Sequence, residues 1–217
     1  MTSEGMTRAR RPAVKPTPLA LMVLGLLAER PMHPYEMQRL MIERAKDKVI
    51  NVQRGSLYPA VERLVKARLV EPAETSREGR RPERTTYQLT PDGRDTVAEW
   101  MVSMLRTPKV EYPEFAAALA FLPLVTHADA LAALDARNRR LTAELAALEA
   151  TLGLLPTDFP RLFLVETEYQ LAMLRAEKNW VTGILDDLRS GRLAWDLDRI
   201  RAWSEQLGAA GVIAPPT

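Results

Sequence analysis

Four arginines, Arg77, Arg80, Arg81 and Arg84, fall within eight residues of one another, against two acids, Glu78 and Glu83. Upstream of them stand Gln53, Arg54, Ser56, Tyr58, Arg63 and Lys66. Guanidinium and ammonium groups bind phosphate, Gln and Arg can pair with base edges through two hydrogen bonds, and Ser or Tyr hydroxyls reach phosphate oxygens. That is the chemistry of nucleic-acid recognition. Catalytic equipment is sparse beside it. There is no Cys, which removes disulfides, thiolate metal sites and cysteine nucleophiles and suits a reducing cytoplasm. The imidazoles are His33 and His127 alone, so a two-His metal site would have to join distant segments. Asp186 and Asp187 are neighbours on a predicted helix and point in different directions. With no nucleophile elbow and no phosphate-binding Gly-rich loop, no catalytic residue, metal or cofactor is expected, and an enzyme is the remotest reading.

The elements that must hold these side chains are legible in 217 residues that are 47% hydrophobic and 27% charged, an ordinary globular composition. The formal net charge of +2 hides an asymmetry, with residues 1–103 at +5 and residues 104–217 at −3. Residues 1–17, broken by Gly5, Pro12 and Pro16, are expected to be a flexible basic arm. Arg8, Arg10 and Arg11 before the apolar run Leu19–Ala28 resemble the start of a secretory signal. However, Leu19, Met22, Val23, Leu26 and Leu27 recur at the spacing of a core-facing helix, and the run is too short for a bilayer.

Pro31 stops that helix, and a second begins near Pro34 with Met37, Leu40 and Met41 inward. A third runs from Gln53 to Ala67 on Leu57, Val61, Leu64 and Val65, leaving the Gln53–Lys66 polar set outward and Tyr58 open to either core packing or phosphate contact. Residues 69–75 and 84–89 form a hairpin with the arginines at its tip and edge. Thr90 and Pro91 then open a fourth helix as N-cap and first residue, with Val97, Trp100, Met101, Met104 and Leu105 on one stripe. Three helices, a ribbon and another helix predict a winged helix-turn-helix at residues 18–106. Its third helix would enter the major groove and its hairpin would contact the backbone.

Leu24-Gly25-Leu26-Leu27 with Pro31-Met32-His33-Pro34-Tyr35-Glu36-Met37, then Gly55-Ser56-Leu57-Tyr58-Pro59-Ala60-Val61-Glu62-Arg63-Leu64, then Thr86-Tyr87-Gln88-Leu89-Thr90-Pro91-Asp92-Gly93, resemble the PadR family of bacterial transcriptional regulators. The family usually has Gly where Pro34 stands, and commonly where Ala67 ends the third helix. The resemblance implies a dimeric winged-helix DNA binder, often a repressor relieved by a small molecule. It implies a recognition helix around Leu57-Tyr58-Pro59, a wing at Gly79, and Tyr35 among the DNA-contacting residues.

Pro108 and Pro113 bracket a break, after which residues 112–207 are expected to be an all-α, antiparallel or coiled-coil-like dimerisation domain, with a disordered tail at 208–217. From Thr126, with Asp129 in a variant capping box, a heptad seam places Leu131, Leu134, Leu141, Leu145, Leu148 and Leu152 at a and d positions. Asn138 occupies an a position, where a polar residue fixes register. The bland alternative is a helix packed on its own domain. A second long helix is predicted from Asp158 to Arg189, closed by Ser190-Gly191, and a short one from Trp195 to Leu207. Trp100, Phe115 and Trp180 are the candidate effector-binding residues. The expected partners are pseudo-palindromic double-stranded operator DNA, a second copy of the chain and a small-molecule effector, without a membrane. The principal rival is a winged-helix protein-interaction module that does not bind DNA.

Overall fold

The first two helices each start at a side chain that satisfies a free amide. Thr17 Oγ1 accepts from the Ala20 N–H at 3.2 Å and opens α1 (Pro18–Glu29), and His33 Nδ1 accepts from the Tyr35 N–H at 3.1 Å and opens α2 (Pro34–Glu43). In both, Pro occupies the first position, where an N–H would have no helical partner. The computed structural model describes residues 14–46, 50, 54–76, 84–196, 202 and 206. The chain divides into two units, Met1–Val110 and Glu111–Thr217.

In the first unit α3 (Arg54–Lys66) packs on α1 and α2. Val23, Leu24, Leu26 and Leu27 of α1, Met37 and Met41 of α2, and Leu57, Val61 and Leu64 of α3 are buried in one core. Fully burying each such side chain contributes about 1.5–3 kcal/mol, so this cluster holds the three helices together. Pro59 is the sixth residue of α3 and has no N–H to offer the carbonyl of exposed Gly55. The left-handed residue that ends α3 is Arg68, at φ +60°, rather than Ala67, which is buried. Glycine would therefore relieve the backbone one position later than the family resemblance implies.

The chain then turns into β1 (Val70–Ser76), paired antiparallel with β2 (Arg84–Leu89) from Val70 opposite Leu89 to Ser76 opposite Arg84, with an irregularity between Pro72 and Glu74. Met32, ahead of α2, exchanges two hydrogen bonds of 3.1 Å with Tyr87, a bridge that extends the ribbon on its other side. Thr90 Oγ1 accepts from the Gly93 N–H at 3.0 Å and donates to the Arg68 carbonyl at 2.8 Å, joining the start of α4 (Pro91–Arg106) to the end of α3. A Cβ on Gly93 would lie 2.1 Å from the Leu69 carbonyl oxygen, so only glycine fits there. Val97 and Trp100 pack on the core, but Met101 and Leu105 are exposed. The predicted stripe of α4 is therefore covered within this unit only along its first half.

The second unit holds α5 (Glu114–Ala120), α6 (His127–Gly153) and α7 (Val165–Ser190), with short 3₁₀ turns at Leu122–Leu124 and Arg161–Phe163. Thr126 Oγ1 accepts from the Asp129 N–H at 3.1 Å and donates to its carboxylate at 2.7 Å, a local cap for α6. Helix α7 begins at Val165 rather than Asp158, because Pro160 disfavours helical backbone at Phe159 and the chain first makes the 3₁₀ turn. Gly191, at φ +75°, ends it. Trp195 and Asp196 lie outside any helix, contrary to expectation, while Ala202 and Gln206 are helical. The Trp195 indole N–H donates instead to the Val125 carbonyl at 3.1 Å. The rest of that predicted helix, the basic arm up to residue 13 and the tail lie outside the described residues. The architecture is mainly α, a winged helix-turn-helix followed by a helical region.

Candidate nucleic-acid interface

With Leu57, Ala60, Val61 and Leu64 turned into the core, the 3.6-residue period leaves Tyr58, Glu62, Arg63 and Lys66 exposed on the far side of α3, with Ser56 half-buried. Tyr58 is 47% exposed and meets His33 edge-on at 6.4 Å between ring centroids, so it is not a core residue. His33 also caps α2, which places 54%-exposed Tyr35 beside the same corner. The N-terminal ends of α2 and α3 thus each carry an exposed phenol group, linked through His33. Glu62 is an acid that the outward set read from sequence did not include, although the same period implies it. Gln53, Arg77, Arg80 and Arg81 lie outside the described residues, as do the side chains of Arg54 and Arg84.

Cations in this unit fall into two groups. Those on α1 and α2 are held by carboxylates: Arg44 binds Glu29 through both nitrogens at 2.5 and 2.8 Å, Arg30 binds Glu36 at 2.6 Å, and Arg39 meets Glu43 at 3.4 Å. The Arg44 hydrogen bond draws the Glu29 carboxyl below its ordinary range, and Arg30 does the same to Glu36. Arg63 and Lys66, by contrast, make no ion pair among the described residues. Their charges face water and are available to phosphate.

In the second unit the leucine seam closes within the chain. Leu134, Leu141 and Leu145 are buried; Leu134 and Leu141 share a core with Val181, Leu185 and Leu188 of α7, while Leu131, Leu148 and Leu152 are half-buried. Asn138, at the polar position, accepts a hydrogen bond from the Thr182 hydroxyl at 3.4 Å. Phe115 and Trp180 meet edge-on at 6.0 Å, and the Arg137 guanidinium lies 3.5 Å over the Phe115 ring while bonded to Glu177 at 2.6 Å. Trp100, the third candidate effector residue, belongs to the first unit and packs on its core.

The first unit has the class-defining parts of a winged helix-turn-helix, three helices with a two-stranded wing and a fourth helix behind it. Residues 23–99 match the Transcriptional regulator PadR-like family. No curated protein matches the chain. Among solved structures, Bacillus subtilis PadR in complex with operator DNA is similar at 20% identity and TM-score 0.65, over 78% of this chain and 98% of that one. The same protein in complex with p-coumaric acid is similar at 18% identity and TM-score 0.64, over 79% and 98%. A PadR-like transcriptional regulator from Bacillus cereus is similar at 18% identity and TM-score 0.57, over 82% and 99%. At these identities the likeness establishes the fold, including its helical second half. Among the described residues no helix is long and apolar enough to cross a membrane, and no three acidic or His side chains could hold a metal.

Proposed function

We propose that the protein is a sequence-specific double-stranded DNA-binding transcriptional regulator, a repressor that acts as a homodimer and is released by a small-molecule effector. The observation that carries this reading is the outward face of α3. Tyr58, Arg63 and Lys66 stand exposed there, on the element that winged-helix proteins insert into the major groove. In this arrangement Gln53 and Arg54 read base edges from the start of the helix, Ser56 reaches a phosphate, and Arg77, Arg80, Arg81 and Arg84 of the wing grip phosphates. A similar fold bound to operator DNA supports the assignment.

A single head reads few base pairs, so two related by a twofold axis are needed for a pseudo-palindrome. Because Leu134 and Leu141 already serve the α6–α7 contact, the copy-to-copy surface we assign is the exposed row Leu162, Val165, Tyr169, Met173 and Trp180. These residues recur every three to seven positions along α7 and its preceding turn, and such a stripe is unfavourable in water. Effector release draws on the Phe115–Trp180 pair and on the p-coumaric acid complex of the similar fold.

Selection of bound fragments from a random duplex pool tests the whole reading, with a pseudo-palindrome of fixed spacing as the expected result. Recovery of no enriched sequence would leave the interaction-module alternative standing. Tyr169→Asp with Met173→Asp should convert the dimer to a folded monomer by sedimentation and weaken operator binding at least tenfold.

A further inference from the structure

The extended residues ahead of α1 run beside the C-terminal half of α3 and enclose a groove of about 470 Å³ lined by Lys15, Thr17, Ala20, Ala60, Arg63 and Lys66, with Val14 and Ala67 completing its wall. We propose that Lys15, Arg63 and Lys66 form a phosphate clamp that grips the DNA backbone at the edge of the major groove entered by α3. The proposal rests on the DNA-binding reading above and extends the interface to a segment outside the helix-turn-helix and the wing.

Several observations converge on this groove. No carboxylate lines it, and none of its three cations makes an ion pair among the described residues, unlike Arg30, Arg39 and Arg44 on the neighbouring helices. Arg63 and Lys66 are three apart on α3 and share a face, while Lys15 approaches from another element. The floor is Ala20, Ala60 and Ala67, whose short side chains leave room for a phosphate and its sugar. Val14 packs on the core, so Lys15 is attached to a fixed point rather than to a loose end. Position along the helix fits as well. Nine residues separate Arg54 from Arg63, about 13 Å at ~1.5 Å per residue. The major groove is about 12 Å wide, so a helix whose first turn reaches base edges brings its tenth residue, Arg63, to the phosphates of the groove wall.

The test is the salt dependence of duplex binding by the full chain, followed by fluorescence anisotropy. Lys15→Gln should lower the slope of log K against log salt by about 0.9 and weaken binding to every duplex roughly fivefold at 0.15 M salt. Lys15→Arg should restore both, and Lys15 is exposed, so circular dichroism should be unchanged. If Lys15→Gln titrates in parallel with the wild type while Arg63→Gln loses slope, the clamp is overturned and the DNA-binding reading survives. An equal loss from Arg94→Gln, an exposed cation of α4 that does not line the groove, would reduce the effect to general charge and also overturn it. If the wild type ignores duplex at low salt but binds a polyglutamate peptide, both readings fall.

Discussion

The two units use the same residue types in opposite ways. The first buries Val23, Leu24, Met37, Met41, Leu57 and Leu64 in one core and leaves Lys15, Arg63 and Lys66 facing water, whereas in the second Arg137, Arg139, Arg161, Arg175, Arg189 and Arg192 all pair with carboxylates of the same chain. Exposed apolar side chains occur in both units, Ile42, Met101, Val102 and Leu105 among them in the first, but more of the described ones, including Phe121, Leu124, Leu162, Phe163, Tyr169 and Met173, lie in the second. Unpaired charge attracts a polyanion and uncovered hydrocarbon attracts more hydrocarbon. One unit therefore leaves positive charge open on one face, whereas the other pairs most of its described cations and leaves a larger share of its hydrocarbon uncovered.

The largest expected effects separate the two cores. Leu64→Ala and Leu185→Ala each empty a site that is 0% exposed and should cost about 2–5 kcal/mol in chemical denaturation. Leu64→Ala should abolish DNA binding first, and Leu185→Ala should abolish dimerisation first. If both variants lose the two properties together, the division of labour between the units is wrong. A smaller effect of opposite sign is expected at the end of α3. Arg68→Gly removes a left-handed non-glycine residue and should raise stability by about 1 kcal/mol, seen as a higher denaturation midpoint of the first unit alone.

The smallest effect is acid sensitivity. Glu29 and Glu36 have lowered carboxyl pKa values, so their ion pairs contribute stability above the ordinary carboxylate range, and that contribution is lost as pH falls through the depressed values. Both pairs are partly exposed and screened, and each should contribute no more than about 1 kcal/mol. Thermal melts between neutral and acid pH should show the first unit weakening, and Glu29→Gln with Glu36→Gln should flatten that dependence. In the second unit the Arg161–Glu168 pair, with Arg161 largely exposed and Glu168 partly so, should make little difference.

Signals that act over a few residues are legible in the sequence. Thr90-Pro91, Thr126 with Asp129, and Ser190-Gly191 begin or end helices through near neighbours, and the buried faces of α1, α2 and α3 follow from apolar spacing. The exposure of Arg63 and Lys66 is the complement of the burial of Leu57, Val61 and Leu64. What the sequence leaves open depends on distant partners. The heptad pattern shows that α6 has an apolar seam but not whether α7 or another copy covers it. Met32 carries no strand signal, since its pairing depends on Tyr87 more than fifty residues later. Lys15 stands out only once α3 lies next to it. The shortfall in covering Met101 and Leu105 likewise arises from how far the core extends, not from the periodicity of α4.

The Met32–Tyr87 bridge has a mechanical consequence. It welds the approach to α2 onto the returning strand of the wing, while Thr90 fastens the base of that strand to the end of α3. Under the DNA-binding reading proposed above, pulling the hairpin away from a duplex would therefore drag α3 with it, and the head would release as a rigid tool rather than finger by finger.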